Sequence, residues 1–240
     1  MQKTFKIAGV ELEVDLTHDA YGESMWGGAG DGLWECATLG FVLANSSPSA
    51  TFFDFGAASG VFTLLAAKRG ASVVAVEPHP IWLKALYSNV DANDLSERVT
   101  IVSAAISSFD GELFFEDGRN RRVVSDSAAQ RAEGKIPVIS LEKIVSENPS
   151  QRSFFKIDIE GAEYGLLLGG NSIETLSSIG ALVFLSIHPG FSYQGVFNNR
   201  SFFLVCEFNL RQVPRGLGQL EVIQGNARVS HSCVAKWEAC

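Results

Sequence analysis

The segment from Lys156 to Glu163, called the lysine-acid segment, carries the densest set of side chains that could do chemistry. It reads Lys-Ile-Asp-Ile-Glu-Gly-Ala-Glu and directly follows an apolar run. Strand alternation places Lys156 and Asp158 on one side of that run and the isoleucines on the other. A general base near a reacting hydroxyl can accept its proton, and an imidazole is suited to this role. We therefore predict catalytic roles for Lys156, Asp158 and His188, the last of which ends the next apolar run.

The acids of the lysine-acid segment could also serve in two different ways. Asp158, Glu160 and Glu163 could offer oxygen ligands to Mg²⁺ or Ca²⁺, but no spacing requires a metal and we predict none. They could instead complement the positive end of a helix, with Lys156 paired to one of them. Glu160 and Glu163 would then be neighbours on a first helical turn. The sequence alone leaves these alternatives open.

A second group of residues, 54–60, is called the glycine loop and reads Asp-Phe-Gly-Ala-Ala-Ser-Gly. Gly56 permits a tight turn, and Gly60 permits close approach of a ligand to the following helix. The loop lacks the three glycines of a dinucleotide fingerprint. Asp54 would repel a phosphate but accept hydrogen bonds from an ammonium group. The loop therefore predicts a site for a cofactor with an amino-acid moiety.

Glu77 ends the next apolar run and is the expected partner of the glycine loop. An acid at that place can accept both hydroxyls of an adenosine ribose. His79, two residues later, is assigned to the turn before a helix. Glu77 and the glycine loop together indicate a nucleoside-binding edge.

Apolar runs that alternate with helical segments must position these groups. Such alternation is typical of βαβ units and a parallel sheet. We predict an α/β fold of the Rossmann-like, doubly wound type, with about seven mostly parallel strands and an antiparallel edge. Ligands bind beyond the carboxyl ends of such strands. The predicted strands are Thr51–Phe55, Ser72–Val76, Val99–Val102, Ser153–Ile157 and Ala181–Ile187, and the helices between them are Val61–Lys68, Ile81–Val90, Leu141–Ser146 and Gly161–Leu168.

The remaining segments are less regular. Thr4 to Val14 is expected to be one strand, and a glycine-rich segment from Trp26 to Gly32 precedes a predicted helix over Leu33–Ala44. Glu112–Glu116 and Arg122–Ser125 could pair as strands, and the polar stretch Ser125–Gly134 is expected to be a loop.

Composition narrows the classes of function. A length of 240 residues with 46% apolar content suits one globular domain. The net charge of −8 disfavours a nucleic-acid partner. Four scattered cysteines support neither a zinc site nor a disulfide framework. The first residues lack the apolar core of a signal peptide, and no apolar run is long enough to span a membrane. We expect a soluble, cytoplasmic protein.

The chain resembles the FkbM-type family of class I S-adenosylmethionine-dependent methyltransferases between Leu33 and Pro189. The resemblance rests on several motifs in the family's order, of which the lysine-acid segment is the most specific. They are Phe53–Gly60, Val76–Pro80, Asn89 and Asn93, Arg98–Val99, Ala104–Ser107, Pro137–Glu142, Lys156–Glu163 and Ile187–Pro189. The family often has asparagine where this chain has Ala58-Ser59. It also usually has an acid two residues before the histidine, where this chain has Ser186.

The resemblance implies S-adenosylmethionine as the cofactor and methyl transfer, with a hydroxyl on a small-molecule or glycan acceptor as the expected target. Residues 1–50 would form an arm or lid at the cofactor site, and residues 51–240 the methyltransferase domain. The alternatives are a nucleic-acid methyltransferase and a non-catalytic protein that only binds the cofactor. Assembly into a homo-oligomer stays open. The expected cofactor-binding residues are Glu35, Asp54, Gly56, Ala57, Ser59, Gly60, Glu77, Pro78, Ala105 and Asp158.

Overall fold

A computed structural model of the chain describes residues 1–18, 22–116, 123–124, 132–187 and 202–207. Within these ranges, a short hairpin and two helices precede two segments in which strands and helices alternate, and several consecutive strands lie between those segments. In chain order the elements are β1 (Gln2–Ile7), β2 (Val10–Asp15), α1 (Gly22–Gly30), α2 (Cys36–Asn45), β3 (Thr51–Phe55), α3 (Val61–Lys68), β4 (Ser72–Val76), α4 (Pro80–Ala92), β5 (Val99–Val102), β6 (Ala105–Ser107), β7 (Gly111–Glu116), β8 (Val123–Val124), β9 (Ala132–Ser140), α5 (Leu141–Glu147), β10 (Ser153–Ile157), α6 (Glu163–Leu168), α7 (Ser172–Ser178), β11 (Leu182–Ile187) and β12 (Phe202–Glu207).

The central sheet has the strand order β12-β11-β10-β3-β4-β5. Its first five strands along the chain are parallel, and β12 pairs antiparallel with β11 at one edge. From β3 the chain proceeds outward through β4 and β5, and it returns to the other side of β3 with β10. The order therefore reverses between β3 and β10, which is where open α/β sheets bind ligands. The predicted mostly parallel sheet with an antiparallel edge is confirmed.

Aromatic side chains hold β3 and β10 together on both faces of the sheet. Phe52 stacks on Phe154 with 4.7 Å between ring centroids, and Phe53 stacks on Phe155 at 4.4 Å. The first pair belongs to a core shared with α2, α3 and α4, and the second to a core shared with α5, α6 and α7. Strands buried on both faces explain the continuous apolar runs in the sequence.

Several elements differ from the sequence-based expectations. The expected single strand Thr4–Val14 is a hairpin, because the turn between β1 and β2 has Ala8 and Gly9 at positive φ. Much of the glycine-rich segment Trp26–Gly32 is helical, in α1. The helix expected from Leu33 begins later, at Cys36.

Further differences concern the middle of the chain. The predicted pairing of Glu112–Glu116 with Arg122–Ser125 is confirmed, because β7 pairs antiparallel with β8. The other two strands of this separate sheet, whose order is β6-β9-β7-β8, were not predicted, and within the described residues the central sheet has six strands, not about seven. Strand β9 begins at Ala132, inside the expected loop Ser125–Gly134, whose first part lies outside the described residues.

Cys36 is disulfide-bonded, although the cysteine spacing indicated no disulfide framework. No helix in the described part of the chain is long and apolar enough to cross a membrane.

The junction of β3 and β10 leaves no room for a side chain at Gly56. Its φ is +80°, and an added Cβ would overlap the carbonyl oxygen of Asp158. We expect G56A to lower the free energy of unfolding by about 3 kcal/mol or more, because left-handed strain adds to a backbone clash that no rotamer relieves. Urea denaturation measures this loss.

The matched control is G165A, in the exposed face of α6, where an added Cβ meets nothing within 4 Å. Alanine should stabilise that helix by roughly 0.5–1 kcal/mol. Equal unfolding midpoints for G56A and G165A would show that the junction is not closely packed at Gly56.

Candidate active site

The carboxyl ends of β3, β4 and β10 meet at one edge of the central sheet, as the alternating pattern predicts. Asp54 on β3 is in register with Lys156 on β10. Glu77 comes directly after β4, and Asp158 directly after β10. Four of the predicted site residues are thus brought to one edge, called the carboxyl edge, by strand topology alone.

Lys156 and Asp54 form a buried ion pair across the two central strands. The Lys156 Nζ lies 3.4 Å from Asp54 Oδ1 and 3.8 Å from Asp158 Oδ2, and it donates to the carbonyl oxygen of Gly56 at 3.0 Å. Thr63 Oγ1 donates to Asp54 Oδ2 at 2.7 Å. The exposed fraction is 3% for Lys156 and 0% for Asp54, against 17% for Asp158. Asp158 is therefore the member of this group that faces solvent.

Lys156 remains a cation at neutral pH. Desolvation by burial lowers its pKa, but the carboxylates of Asp54, Asp158 and Glu35 raise the pKa by more, so that it lies above its ordinary value. The Nζ also lies 5.5 Å from the centroid of the Phe62 ring. A lysine in this state donates hydrogen bonds, but it does not accept a proton from a substrate.

Glu35 joins the same cluster from a loop before α2. Its backbone is left-handed, with φ 45° and ψ 45°. Burial raises the pKa of Glu35, and the Lys156 ammonium lowers it. Trp34 stacks on Phe62 with centroids 5.5 Å apart and fixes this loop against α3. Asp54 Oδ1 faces the Lys156 ammonium, whereas the buried atom Glu35 Oε2 accepts no hydrogen bond among the described residues. Glu35 therefore has unused capacity to accept one.

Glu77 organises the turn around it with both carboxylate oxygens. Oε1 accepts from the backbone N–H of His79 at 2.8 Å, and Oε2 accepts from that of Ala58 at 2.9 Å. Burial raises the pKa of Glu77 from 4.5 to about 7, although these two hydrogen bonds lower it. Each oxygen keeps a second lone pair. Glu77 can therefore hold the glycine loop and still accept two hydroxyl groups.

The glycine loop has a strained backbone. Ala57 donates its N–H to the carbonyl of Val76 at 3.2 Å, whereas Ala58 has a left-handed φ of 48°. Gly60 has φ 97°, and an added Cβ would lie 2.6 Å from Leu86 Cδ1. Gly60 therefore allows the glycine loop to pack closely against helix α4. Gly56 allows a still closer approach to the backbone at the end of β10.

The lysine-acid segment turns one of its acids inward. Glu160 is exposed with φ 53°, and Gly161 has φ 100°. Glu163 is 1% exposed, and its Oε1 accepts from the N–H groups of Ile159 and Gly161, both at 3.1 Å. Helix α6 begins only at Glu163, so Glu160 does not share its first turn as the sequence indicated. No group of three His, Cys, Asp or Glu residues in the described ranges could hold a metal ion.

The remaining predicted residues are placed as follows. Ser59 and Ala105 are buried, and Pro78 is half-buried beside Glu77. His79 is confirmed in the turn before α4, where its Nδ1 accepts from the N–H of Ile81 at 3.0 Å. His188 lies outside the described residues.

Two side chains of the site were missed from sequence. Thr63 is the one hydroxyl in the otherwise apolar buried stretch of α3, and such an isolated polar residue signals a buried partner, here Asp54. Asn89 stands out in the sequence only as part of a motif, and its side chain reaches the glycine loop by donating to the carbonyl of Ser59 at 2.9 Å.

Comparison with known proteins gives a family match that includes Asp54, Glu77, Lys156 and Asp158 of the carboxyl edge. A family model described as the methyltransferase FkbM domain matches residues 54–209. No curated protein matches the sequence.

Solved structures give distant similarities. A precorrin-6y C5,15-methyltransferase from Geobacter metallireducens is 14% identical, with 62% of this chain and 61% of that chain covered and a TM-score of 0.38. An S-adenosylmethionine-dependent methyltransferase from Agrobacterium tumefaciens is 13% identical, with 82% of this chain and 54% of that chain covered and a TM-score of 0.45. An RNA methyltransferase from Salinibacter ruber in complex with S-adenosyl-L-homocysteine is 13% identical, with 77% of this chain and 97% of that chain covered and a TM-score of 0.43. The chain thus spans less than two thirds of the first two proteins.

Removing the Lys156 ammonium should leave a buried carboxylate without its counter-ion. We expect K156M to lower the free energy of unfolding by about 3–5 kcal/mol. The control is K135M: Lys135 lies at the same 3.4 Å from Glu112 and 5.7 Å from the Phe114 ring, but both partners of this ion pair are exposed. That variant should change stability by about 1 kcal/mol or less. Similar losses in the two variants, measured by urea denaturation, would contradict a dominant role for burial.

The raised pKa of Glu77 predicts a pH-dependent stability. Between pH 4.5 and about 7 the unfolded state is ionised while the folded state keeps its proton, so that stability falls as pH rises through this window. The loss at pH 7 and above is roughly 3 kcal/mol. In E77Q this contribution is absent, so the stability of E77Q relative to wild type should rise across the same window. A constant difference between the two in urea denaturation at pH 5, 6, 7 and 8 would refute the assignment.

Proposed function

Because the chain belongs to the FkbM methyltransferase family, we propose that it transfers the methyl group of S-adenosylmethionine to a hydroxyl of a small or carbohydrate-like acceptor. The observation that carries this proposal is the excess negative charge at the carboxyl edge. Three carboxylates, from Glu35, Asp54 and Asp158, act on the single ammonium of Lys156. S-adenosylmethionine carries an ammonium and a sulfonium, and both would be attracted to such a cluster.

The amino-acid moiety of the cofactor would lie against the acidic cluster. Glu35 and Asp158 are its half-buried carboxylates. The Oε2 atom of Glu35 is buried and accepts no hydrogen bond among the described residues. Asp54 has no exposed surface, so we assign it an indirect role, in which it holds Lys156 in place. Since Glu35 lies in the expected N-terminal arm, residues 1–50 would contribute directly to cofactor binding.

The adenosine moiety would lie at the ends of β4 and β5. The free lone pairs of Glu77 can accept the two ribose hydroxyls. Ala57 and Ser59 in the glycine loop, with Pro78, would border the sugar, and Ala105 would border the base. When bound, S-adenosylmethionine supplies a methyl group activated by the sulfonium, so the protein needs only to align the acceptor and provide a route for its proton.

The acceptor's proton would be taken by Asp158 or His188. Asp158 is partly exposed, so its carboxylate can reach an acceptor and take its proton. Lys156 keeps its proton and would therefore hold Asp158 in position. The catalytic role that we predict for Lys156 is therefore that of a fixed cation.

The nucleic-acid alternative has less support than a small acceptor. The chain has a net charge of −8 and the carboxyl edge is itself acidic, whereas phosphate backbones are bound by basic surfaces. Methyl transfer to RNA and none to hydroxyl-bearing small molecules would replace the proposed acceptor class.

Calorimetric titration with S-adenosylhomocysteine and with 5′-methylthioadenosine tests the cofactor and the role of Glu35 together. We expect the wild type to bind both, because they share the adenosine that faces Glu77. E35Q should lower the affinity for S-adenosylhomocysteine about tenfold and leave the affinity for 5′-methylthioadenosine unchanged, because only S-adenosylhomocysteine has an ammonium group.

The matched control is E174Q, which neutralises an exposed glutamate on α7 and should bind both compounds as the wild type does. Failure of the wild type to bind at millimolar ligand would overturn the proposed function. Equal weakening of both compounds by E35Q would overturn the assignment of Glu35 to the ammonium group.

A further inference from the structure

Asn89 links two segments that are far apart in sequence. It lies in α4 and is fully buried. Its Oδ1 accepts from the backbone N–H of Asp15 on β2 at 2.8 Å, and its Nδ2 donates to the carbonyl of Ser59 at 2.9 Å. One amide side chain therefore joins the N-terminal hairpin to the glycine loop.

Asn93, one turn later at the C-terminal cap of α4, makes the same type of contact with the hairpin but none with the glycine loop. Its Oδ1 accepts from the N–H of Glu13 at 3.0 Å, and its Nδ2 donates to the carbonyl of Glu13 at 2.6 Å and to that of Asn89 at 2.8 Å. Two residues of a strand span about 6.6 Å and four residues of a helix about 6 Å, so the two asparagines match alternate residues of β2. The hairpin is thus docked along α4 in a defined register.

The hydrogen bond to Ser59 acts where the glycine loop needs support. Ser59 stands between two left-handed residues, Ala58 at φ 48° and Gly60 at φ 97°. Its own Oγ is buried and has no hydrogen-bond partner among the described residues. A peptide unit between two such residues costs conformational energy and persists only when its surroundings hold it. Asn89 holds it from one side, and Glu77 holds Ala58 from the other.

We propose that Asn89 is a positioning residue for the cofactor, and that the N-terminal hairpin clamps it in the required orientation. The proposal rests on the proposed function, in which the glycine loop borders S-adenosylmethionine. Accepting the Asp15 N–H leaves the amide only one orientation, in which Nδ2 faces Ser59. The hairpin precedes residue 54 and lies outside the family match, yet it controls the loop through this side chain.

The test compares N89L with N93L, because leucine has nearly the shape of asparagine and lacks both polar atoms. Each variant loses a contact with the hairpin, and only N89L loses the bond to the glycine loop. We expect the Kd for S-adenosylhomocysteine to rise about tenfold in N89L and less than twofold in N93L. If either leucine variant does not fold, N89S and N93S replace the pair.

Hydrogen exchange without ligand gives a second readout, which does not depend on the cofactor. Amides 57–61 and the amide of Asp15 should exchange faster in N89L and remain as in the wild type in N93L, whereas the amide of Glu13, from which Asn93 accepts, should exchange faster in N93L. Equal exchange of amides 57–61 in the two variants would overturn the positioning role. A wild type that binds no S-adenosylhomocysteine would overturn the proposed function instead, and the exchange comparison would still decide the role of Asn89.

Discussion

The buried pair of Lys156 and Asp54 is the interaction on which the carboxyl edge of the sheet depends. Moving two charges from water into a protein interior costs several kcal/mol per ion unless further hydrogen bonds compensate. Here Thr63 donates to the carboxylate and the Gly56 carbonyl accepts from the ammonium. The second of these bonds requires the ends of β3 and β10 to approach closely, which excludes a side chain at Gly56. The charge pair and the glycine are therefore parts of one constraint.

The same edge concentrates backbone strain. Among the described residues, five non-glycine residues have positive φ, and three of them, Glu35, Ala58 and Glu160, lie in or beside the acidic cluster. Each such conformation costs of order 1–3 kcal/mol and requires surrounding contacts to hold it. Those contacts are visible: the Glu77 carboxylate holds Ala58, and Glu163 holds the N–H groups on either side of Glu160. The buried acids Glu77 and Glu163 thus serve as backbone acceptors that hold the strained turns at this edge in place.

Sequence patterns predict the strands and miss these acceptor roles, for a physical reason. The runs that form β3, β4 and β10 are apolar because both faces are buried, and strand alternation correctly places Lys156 and Asp158 on one side. By contrast, spacing alone predicts that Glu163 neighbours Glu160 on a helix. A left-handed turn at Glu160 and Gly161 delays the helix by two residues, and no residue-type pattern distinguishes the two conformations. The β1–β2 hairpin is missed for the same reason, because its turn depends on a positive φ at Ala8.

The charge balance connects the fold to the proposed chemistry. Three carboxylates share one ammonium, and burial disfavours any carboxylate whose charge is not compensated. Burial raises the pKa of Glu35 and of Glu77, because the positive charge at this edge does not fully compensate their ionised forms. A cationic ligand at this edge would stabilise the ionised carboxylates, and this stabilisation would contribute to its binding free energy. In the proposed function, affinity for such a ligand would follow from a site that the fold leaves short of positive charge, and specificity would follow from the backbone that Glu77 and Asn89 hold in place.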